Sequence, residues 1–265
     1  MKKAKRETSW HRLLKENSRA VVTTYVVLRA LVFVALVASL ISKDIQNCIM
    51  CVFVLILYTL PDILERKLKI KLPSALEIIL LCFIYSALIL GEIQNYYAQF
   101  PHWDLMLHTL SGFLTAAFGY SLVELLNDRD DVPFSLSPIF MAVVSFCVSM
   151  TIGIMWEFFE FAADNIMGWD MQKDTVITAF RSVTLDPAVS NTPILVDNIT
   201  EVYINGKELG VAGYLDIGLL DTMEDLLVNF IGALVFSIIG FFHTKHKGKS
   251  KIVSGLVPRK AEKEE

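Results

Sequence analysis

The chain contains the stretch AVVTTYVVLRALVFVALVASLI at residues 20–41, in which Arg29 is the only charged residue. A helix needs about 20 consecutive apolar residues to cross the hydrocarbon layer of a bilayer. The stretch therefore predicts a membrane-spanning helix. We do not expect a cleaved signal peptide, because the run has the length of a full span and lacks a small-residue cleavage site.

Five more apolar runs follow it in a chain of 265 residues. They cover residues 46–64, 74–94, 104–126, 138–163 and 222–242. Apolar residues make up 54% of the chain and charged residues 20%, against about 25% charged in a soluble globular protein, and the mean hydropathy is +0.51. These values exclude a disordered or fibrous chain and argue against a water-soluble enzyme. We predict an all-α, polytopic membrane helix bundle of six spans.

The runs and the segments between them divide the chain into five parts. We expect a basic amphipathic segment at 1–19, spans one to five within 20–167, an extracytoplasmic insertion at 168–218, span six within 219–243 and a basic tail at 244–265. Within the insertion, Asn205-Gly206 stands between two β-prone stretches and predicts a small β-hairpin. The stretch 255–259 resembles a protease cleavage sequence, and the sequence leaves open whether it is native.

Lysine and arginine are distributed unevenly between the two sides of the predicted bundle. Nineteen lie in the two ends and the second and fourth connections, and four lie in the remaining connections. Because cytoplasmic segments of membrane proteins are enriched in these residues, we expect both termini in the cytoplasm. The basic ends flank apolar runs, which indicates contact with anionic membrane lipid and argues against nucleic acid as a partner.

Polar residues cluster near the outer ends of spans four, five and six. The candidate metal ligands are Asp104, His108, Glu157, Glu160, Asp221, Asp225 and Asn229. Their spacings of three, four and eight place the members of each span on one helix face. A rise of about 1.5 Å per residue puts His108, Glu160 and Asp225 roughly 6 Å inside the outer boundary.

Carboxylates far outnumber histidine in this set, and the same stretches hold no lysine or arginine. So many anions do not all stay ionised at reduced dielectric, so either some carry protons or a cation is bound. Oxygen ligands with one imidazole favour Mg²⁺, Mn²⁺ or Ca²⁺, with Zn²⁺ left open. His108 and Glu157 are the candidate acid–base residues. The alternative is structural, with Asp104 and Asp221 placed at helix N-termini by the helix dipole.

Several sequence elements of spans four to six resemble YjdF-like bacterial membrane proteins and, more distantly, the VanZ-like family. The elements are Trp103-Asp104-x-x-x-His108, Trp156-Glu157-x-x-Glu160, Gly168-x-x-x-Gln172 and Asp221-Thr222-x-x-Asp225-x-x-x-Asn229. The resemblance implies a multi-pass protein of the bacterial inner membrane. It implies no particular reaction.

Three functions stay open at this point. The first is a multi-pass membrane protein with an outward-facing, cation-binding acidic site, whose insertion at 168–218 contacts an extracytoplasmic protein or envelope partner. The second is a membrane-embedded, metal-dependent hydrolase or transferase acting on a lipid or cell-envelope substrate. The third is a cation- or proton-coupled transporter, against which the lack of an evident inverted repeat argues.

Overall fold

A computed structural model describes residues 18–68, 70–127, 136–246, 248 and 250–260. Most of the predicted amphipathic segment at 1–19 lies outside these residues. Within the described ranges, six helical segments are long and apolar enough to cross a membrane: Arg19–Ser42, Ile45–Lys67, Ser74–Ile93, Trp103–Asn127, Pro138–Met167 and Leu219–Lys245. The prediction of a six-span helical bundle with a small β insertion is confirmed.

The helices and strands follow one another in a simple order. The helices are α1 (Arg19–Ser42), α2 (Ile45–Leu57), α3 (Leu60–Leu68), α4 (Ser74–Ile84), α5 (Tyr96–Gln99), α6 (Trp103–Asn127), α7 (Pro138–Ala162), α8 (Leu219–Lys245) and α9 (Lys251–Leu256). Wider π-helical segments extend α4 over Tyr85–Ile93 and α7 over Ala163–Met167. The strands are β1 (Ile70–Lys71), β2 (Thr175–Ile177), β3 (Phe180–Ser182), β4 (Ile194–Val196), β5 (Tyr203–Ile204), β6 (Lys207–Glu208), β7 (Tyr214–Asp216) and β8 (Arg259–Lys260).

The chain forms two compact units. The first comprises the residues up to Thr151 and those from Val228 onward, and the second comprises Ile152–Leu227. The first unit holds α1 to α6, the first part of α7, most of α8 and the C-terminal segment. The second holds the insertion and the helical residues next to it.

In the first unit, the second span is broken near Pro61 instead of running as one helix. The α2 helix ends at Leu57 and α3 begins at Leu60. Proline has no backbone N–H, so a helix that contains it leaves carbonyl groups without helical partners. The Tyr58 carbonyl at the break accepts a hydrogen bond from the Tyr25 hydroxyl at 2.8 Å.

Arg29 also bonds to this break. Its Nη2 donates to the Tyr58 carbonyl at 3.3 Å, and its guanidinium lies 4.9 Å from the centre of the Tyr25 ring. The sequence leaves two possibilities for Arg29, a side chain that snorkels toward the membrane surface or an ion pair with Glu77 or Glu124. The hydrogen-bond acceptor of Arg29 in the structure is the Tyr58 carbonyl at the helix break.

Two glycines let α6 and α8 touch backbone to backbone. A Cβ added at Gly112 would overlap the carbonyl oxygen of Asn229, and one added at Gly232 would overlap that of Thr109. The contact is reciprocal, since each helix supplies one glycine and one carbonyl. Small residues at helix crossings are the usual means of close packing in membranes.

Hydroxyl groups connect α6 to α7 in the same unit. Ser145 Oγ donates to the Ala116 carbonyl at 2.6 Å, and Ser149 Oγ donates to the Gly112 carbonyl at 2.8 Å. Both serines are fully buried. Because a buried hydroxyl without a partner costs free energy, these bonds determine how the two helices face each other.

The C-terminal segment packs against the first unit and is part of the fold. Val253 and Val257 are buried in a cluster with Tyr120 and Phe236. Strand β8 pairs antiparallel with β1, with Arg259 opposite Lys71. The stretch that resembles a protease cleavage sequence therefore carries a buried core residue, Val257.

In the second unit, the insertion consists of short antiparallel strand pairs. The predicted hairpin is formed by β5 and β6, and both turn residues, Asn205 and Gly206, have the positive φ that a tight two-residue turn requires. The sequence did not predict the other pairs, β2 with β7 and β3 with β4. Their partners lie far apart in the chain, so no local turn signal marks them.

A loop in the insertion is organised around Asp186. Its carboxylate accepts hydrogen bonds from the Ser190 hydroxyl at 2.8 Å and from the backbone N–H groups of Ala188, Ser190 and Thr192. These bonds, led by that from the Ser190 hydroxyl, lower the pKa of Asp186 to about 2. The hydrogen bonds of the loop therefore stabilise the ionised form of Asp186.

We predict that Gly232→Ala destabilises the protein. The added methyl group would push α8 away from the Thr109 carbonyl, and overpacking of this kind costs about 1–3 kcal/mol. Thermal unfolding in detergent should show a lower midpoint. The matched control is Gly255→Ala in α9, where an added Cβ meets nothing within 4 Å. Equal unfolding midpoints for the two variants would contradict the close contact between Gly232 and the Thr109 carbonyl.

We predict that Asp186→Ala opens the loop at 186–192 and speeds limited proteolysis there several-fold. The control is Asp197→Ala, which should not speed proteolysis, because Asp197 is an exposed carboxylate of the same insertion. The pKa of Asp186 is lower in the folded loop, so its contribution is present above the ordinary Asp value of about 4. Protection of the wild-type loop should therefore hold from pH 7 to about pH 4 and fall toward pH 2. If the loop has already lost its protection from proteolysis at pH 5, this account is contradicted.

Candidate functional site

Three of the predicted ligands come together in the second unit. Glu157 and Glu160 are one helical turn apart on α7, and Asp225 lies in the second turn of α8. Their exposed fractions are 4%, 7% and 1%. Each offers one carboxylate oxygen, and the three oxygens all lie within 4.8 Å of one another. This group, Glu157, Glu160 and Asp225, is the carboxylate site.

A tryptophan holds one side of the carboxylate site. Trp156 Nε1 donates to Glu160 Oε1 at 2.9 Å, four residues along α7. The ring of Trp156 is itself packed against the ring of Phe159, with 5.3 Å between their centroids. The indole therefore orients the Glu160 carboxylate and offsets part of its charge. The sequence singled out Trp156 as a motif residue but did not predict this role.

In the first unit, Asp104 and His108 form a pair on α6. His108 Nε2 lies 3.4 Å from Asp104 Oδ1, as the spacing of four residues leads one to expect. Both side chains are half-buried. A carboxylate in contact with an imidazole orients the ring.

Asn229 has a packing position in the first unit. It is buried, and its Nδ2 donates to Met150 Sδ at 3.5 Å. Its backbone carbonyl is the group that faces Gly112. The predicted role of Asn229 as a metal ligand stays a prediction, and its observed contacts are those of a residue at a helix crossing.

Asp221, also predicted as a metal ligand, holds a loop in the structure. Its Oδ2 accepts from the backbone N–H of Lys173 at 2.8 Å. It belongs to a set of contacts, called the latch below, that ties residues 164–173 to the start of α8. The other latch contacts are Asp164 with the backbone N–H groups of Met171 and Gln172, and Gln172 Nε2 with Thr222 Oγ1 at 2.6 Å.

The latch gives a physical reason for two of the sequence elements singled out above. Gly168 has φ of +68° at the end of the α7 extension, and Gln172 and Asp221-Thr222 supply the bonds that close the loop. The motif residues near the insertion thus include some that form the carboxylate site and some that form the latch. Spacing alone did not separate Asp221 from Asp225, because both are acidic residues on one face of α8.

Comparisons with known proteins place the chain in a family. The model of the family described as "Predicted membrane protein (DUF2238)" matches residues 24–246. Over 108 residues the chain is 25% identical to an uncharacterised protein of Thermotoga maritima, an alignment that covers 40% of this chain and 53% of that protein. The chain thus spans about half the length of this relative. No solved structure matches the chain. The family match covers most of the chain and all six spans, so the chain is a member of the DUF2238 family of predicted membrane proteins.

Proposed function

We propose that this multi-pass membrane protein binds a divalent cation at the carboxylate site. The observation that carries the proposal is the grouping of three buried carboxylate oxygens within 4.8 Å of one another. Ionised carboxylates in a membrane span are costly, by roughly 2.5–3.5 kcal/mol each on insertion scales. A shared cation offsets this cost for all three at once.

The donor set indicates the class of cation. All three ligands offer oxygen, and none offers nitrogen or sulfur. Carboxylate oxygen suits Mg²⁺, Mn²⁺ and Ca²⁺, whereas structural zinc sites use mainly cysteine and histidine. The site therefore fits a hard divalent ion better than Zn²⁺. Trp156 limits Glu160 to one oxygen for the ion, because the indole N–H bonds to the other.

A membrane-embedded hydrolase or transferase is the second candidate function. The observation that favours it is the contact between Asp104 and His108. An imidazole oriented by a carboxylate is a common general acid–base arrangement. In that function His108 would pass a proton to or from a lipid or cell-envelope substrate, with Asp104 orienting its ring. The metal ion of such an enzyme would supply charge that polarises water or a phosphate oxygen, and Glu157 would be one of the residues that hold it.

The location of the protein is also part of the proposal. The excess of lysine and arginine at the two ends and in the second and fourth connections supports a cytoplasmic position for both termini. The insertion and the carboxylate site then face outward. The resemblance of the motif residues to YjdF-like proteins supports the bacterial inner membrane as the location.

We predict that chelator-treated wild-type protein gains stability when Mn²⁺ or Ca²⁺ is added. At a hundredfold excess over Kd, binding to one site stabilises the folded state by about 2.7 kcal/mol. Glu160→Gln should lose most of this gain, because one of three charged ligands becomes neutral. Thermal unfolding with and without EDTA measures the difference, and elemental analysis gives the stoichiometry.

Glu201→Gln is the matched control, since Glu201 is an exposed carboxylate in the insertion. It should respond to the ions as the wild type does. If Glu160→Gln and Glu201→Gln are stabilised equally by Mn²⁺ and Ca²⁺, the carboxylate site does not bind them.

We predict that Trp156→Phe weakens cation binding roughly tenfold, in the range seen when a residue that orients a metal ligand is removed. The phenylalanine keeps an aromatic ring against Phe159 but cannot donate to Glu160. Trp169→Phe is the control, because no hydrogen bond of the Trp169 side chain is present in the described part of the chain. Calorimetric titration of both variants measures the affinities, and equal values would show that the indole N–H is unimportant.

A further inference from the structure

The second unit exposes large apolar side chains where its helices meet the insertion. Ile166 and Ile217 are each 83% exposed, and Met167 and Leu219 are also exposed. These four residues are called the apolar shelf. Ile166 and Met167 end the π-helical extension of α7, and Ile217 and Leu219 flank the start of α8. Side chains this apolar and this exposed usually mark a contact with a membrane or another protein.

The latch links the two chain segments that carry the shelf residues, the end of the α7 extension and the start of α8. Asp164 accepts the backbone N–H groups of Met171 and Gln172. The Gln172 side chain donates to Thr222, and a Cβ added at Gly218 would lie 2.7 Å from that of Gln172. The end of the α7 extension and the start of α8 therefore lie on either side of Gln172.

The shelf continues the faces of the helices that lead to it. On α7, Phe158 and Phe161 are exposed one to two turns before the shelf, and on α8, Met223 and Leu227 are exposed after it. In a spanning helix such side chains face lipid.

The length of the fifth span places the shelf at the depth of the lipid headgroups. The α-helical part of this span, Pro138–Ala162, has 25 residues, which at about 1.5 Å each give a length of about 38 Å. The hydrocarbon core is about 30 Å thick, and the bilayer with its headgroup layers is about 40–45 Å thick. The α-helix is longer than the hydrocarbon core is thick, which puts the extension that follows it, Ala163–Met167, at the depth of the headgroups.

We propose that the apolar shelf inserts into the headgroup layer and seats the second unit on membrane phospholipid. The partner is the lipid surface itself, contacted at the upper ends of the acyl chains. The inference is independent of cation binding, because no shelf residue belongs to the carboxylate site. It also assigns a function to the latch, which is to hold the two apolar segments of the shelf near each other.

The test is photo-crosslinking in native membranes. A benzoylphenylalanine is introduced at Ile166 or at Ile217, and the irradiated chain is purified and its adducts are identified by mass spectrometry. Phe158, on the exposed face of α7, is the positive control. Asn205, at the polar turn of the β5–β6 hairpin, is the negative control.

Both shelf positions should give phospholipid adducts at a yield close to that of Phe158 and roughly tenfold above that of Asn205. Adducts with a second copy of the chain or with another polypeptide would overturn the proposal. So would a lipid yield at both positions no higher than at Asn205. The two positions are highly exposed, so neither substitution disturbs a packed core, and each position tests the proposal without the other.

Discussion

The interior of a membrane offers no water, so each polar group in a span must find its partner within the protein. Where the second span breaks at Pro61, the exposed Tyr58 carbonyl is bonded by Tyr25 and Arg29. Where the third span widens, the Ala87 carbonyl accepts from the Tyr97 hydroxyl at 3.1 Å. Irregular helices are thus tolerated because side chains from neighbouring segments complete their hydrogen bonds.

The same constraint makes the carboxylate site distinctive. A serine hydroxyl can satisfy a carbonyl, as Ser149 does for Gly112. Carboxylates are acceptors when ionised, so three of them brought together repel one another unless a proton or a cation lies between them. Glu157 and Glu160 on α7 and Asp225 on α8 are grouped and buried, so water does not separate their charges.

The spans and the carboxylates could be predicted from the sequence because both depend on local spacing. A run of about 20 apolar residues and a pair of glutamates three apart need no knowledge of the rest of the chain. The latch and the packing of Val253 and Val257 could not be predicted, because their partners lie far away in the sequence. Asp221 shows the difficulty well, since an acidic residue at a helix start is equally suited to bind a metal or a backbone N–H.

The proposed cation and a set of shared protons make different geometric demands on the carboxylate site. A proton between two carboxylates forms a short bond of about 2.5–2.7 Å and joins only two oxygens. A Ca²⁺ ion binds oxygens at about 2.3–2.6 Å, so ligands on opposite sides of it are separated by almost 5 Å. Three oxygens that all lie within 4.8 Å of one another fit on a single such coordination sphere. A divalent ion at the proposed site would leave the trio with a single net negative charge, part of which the indole N–H of Trp156 would offset.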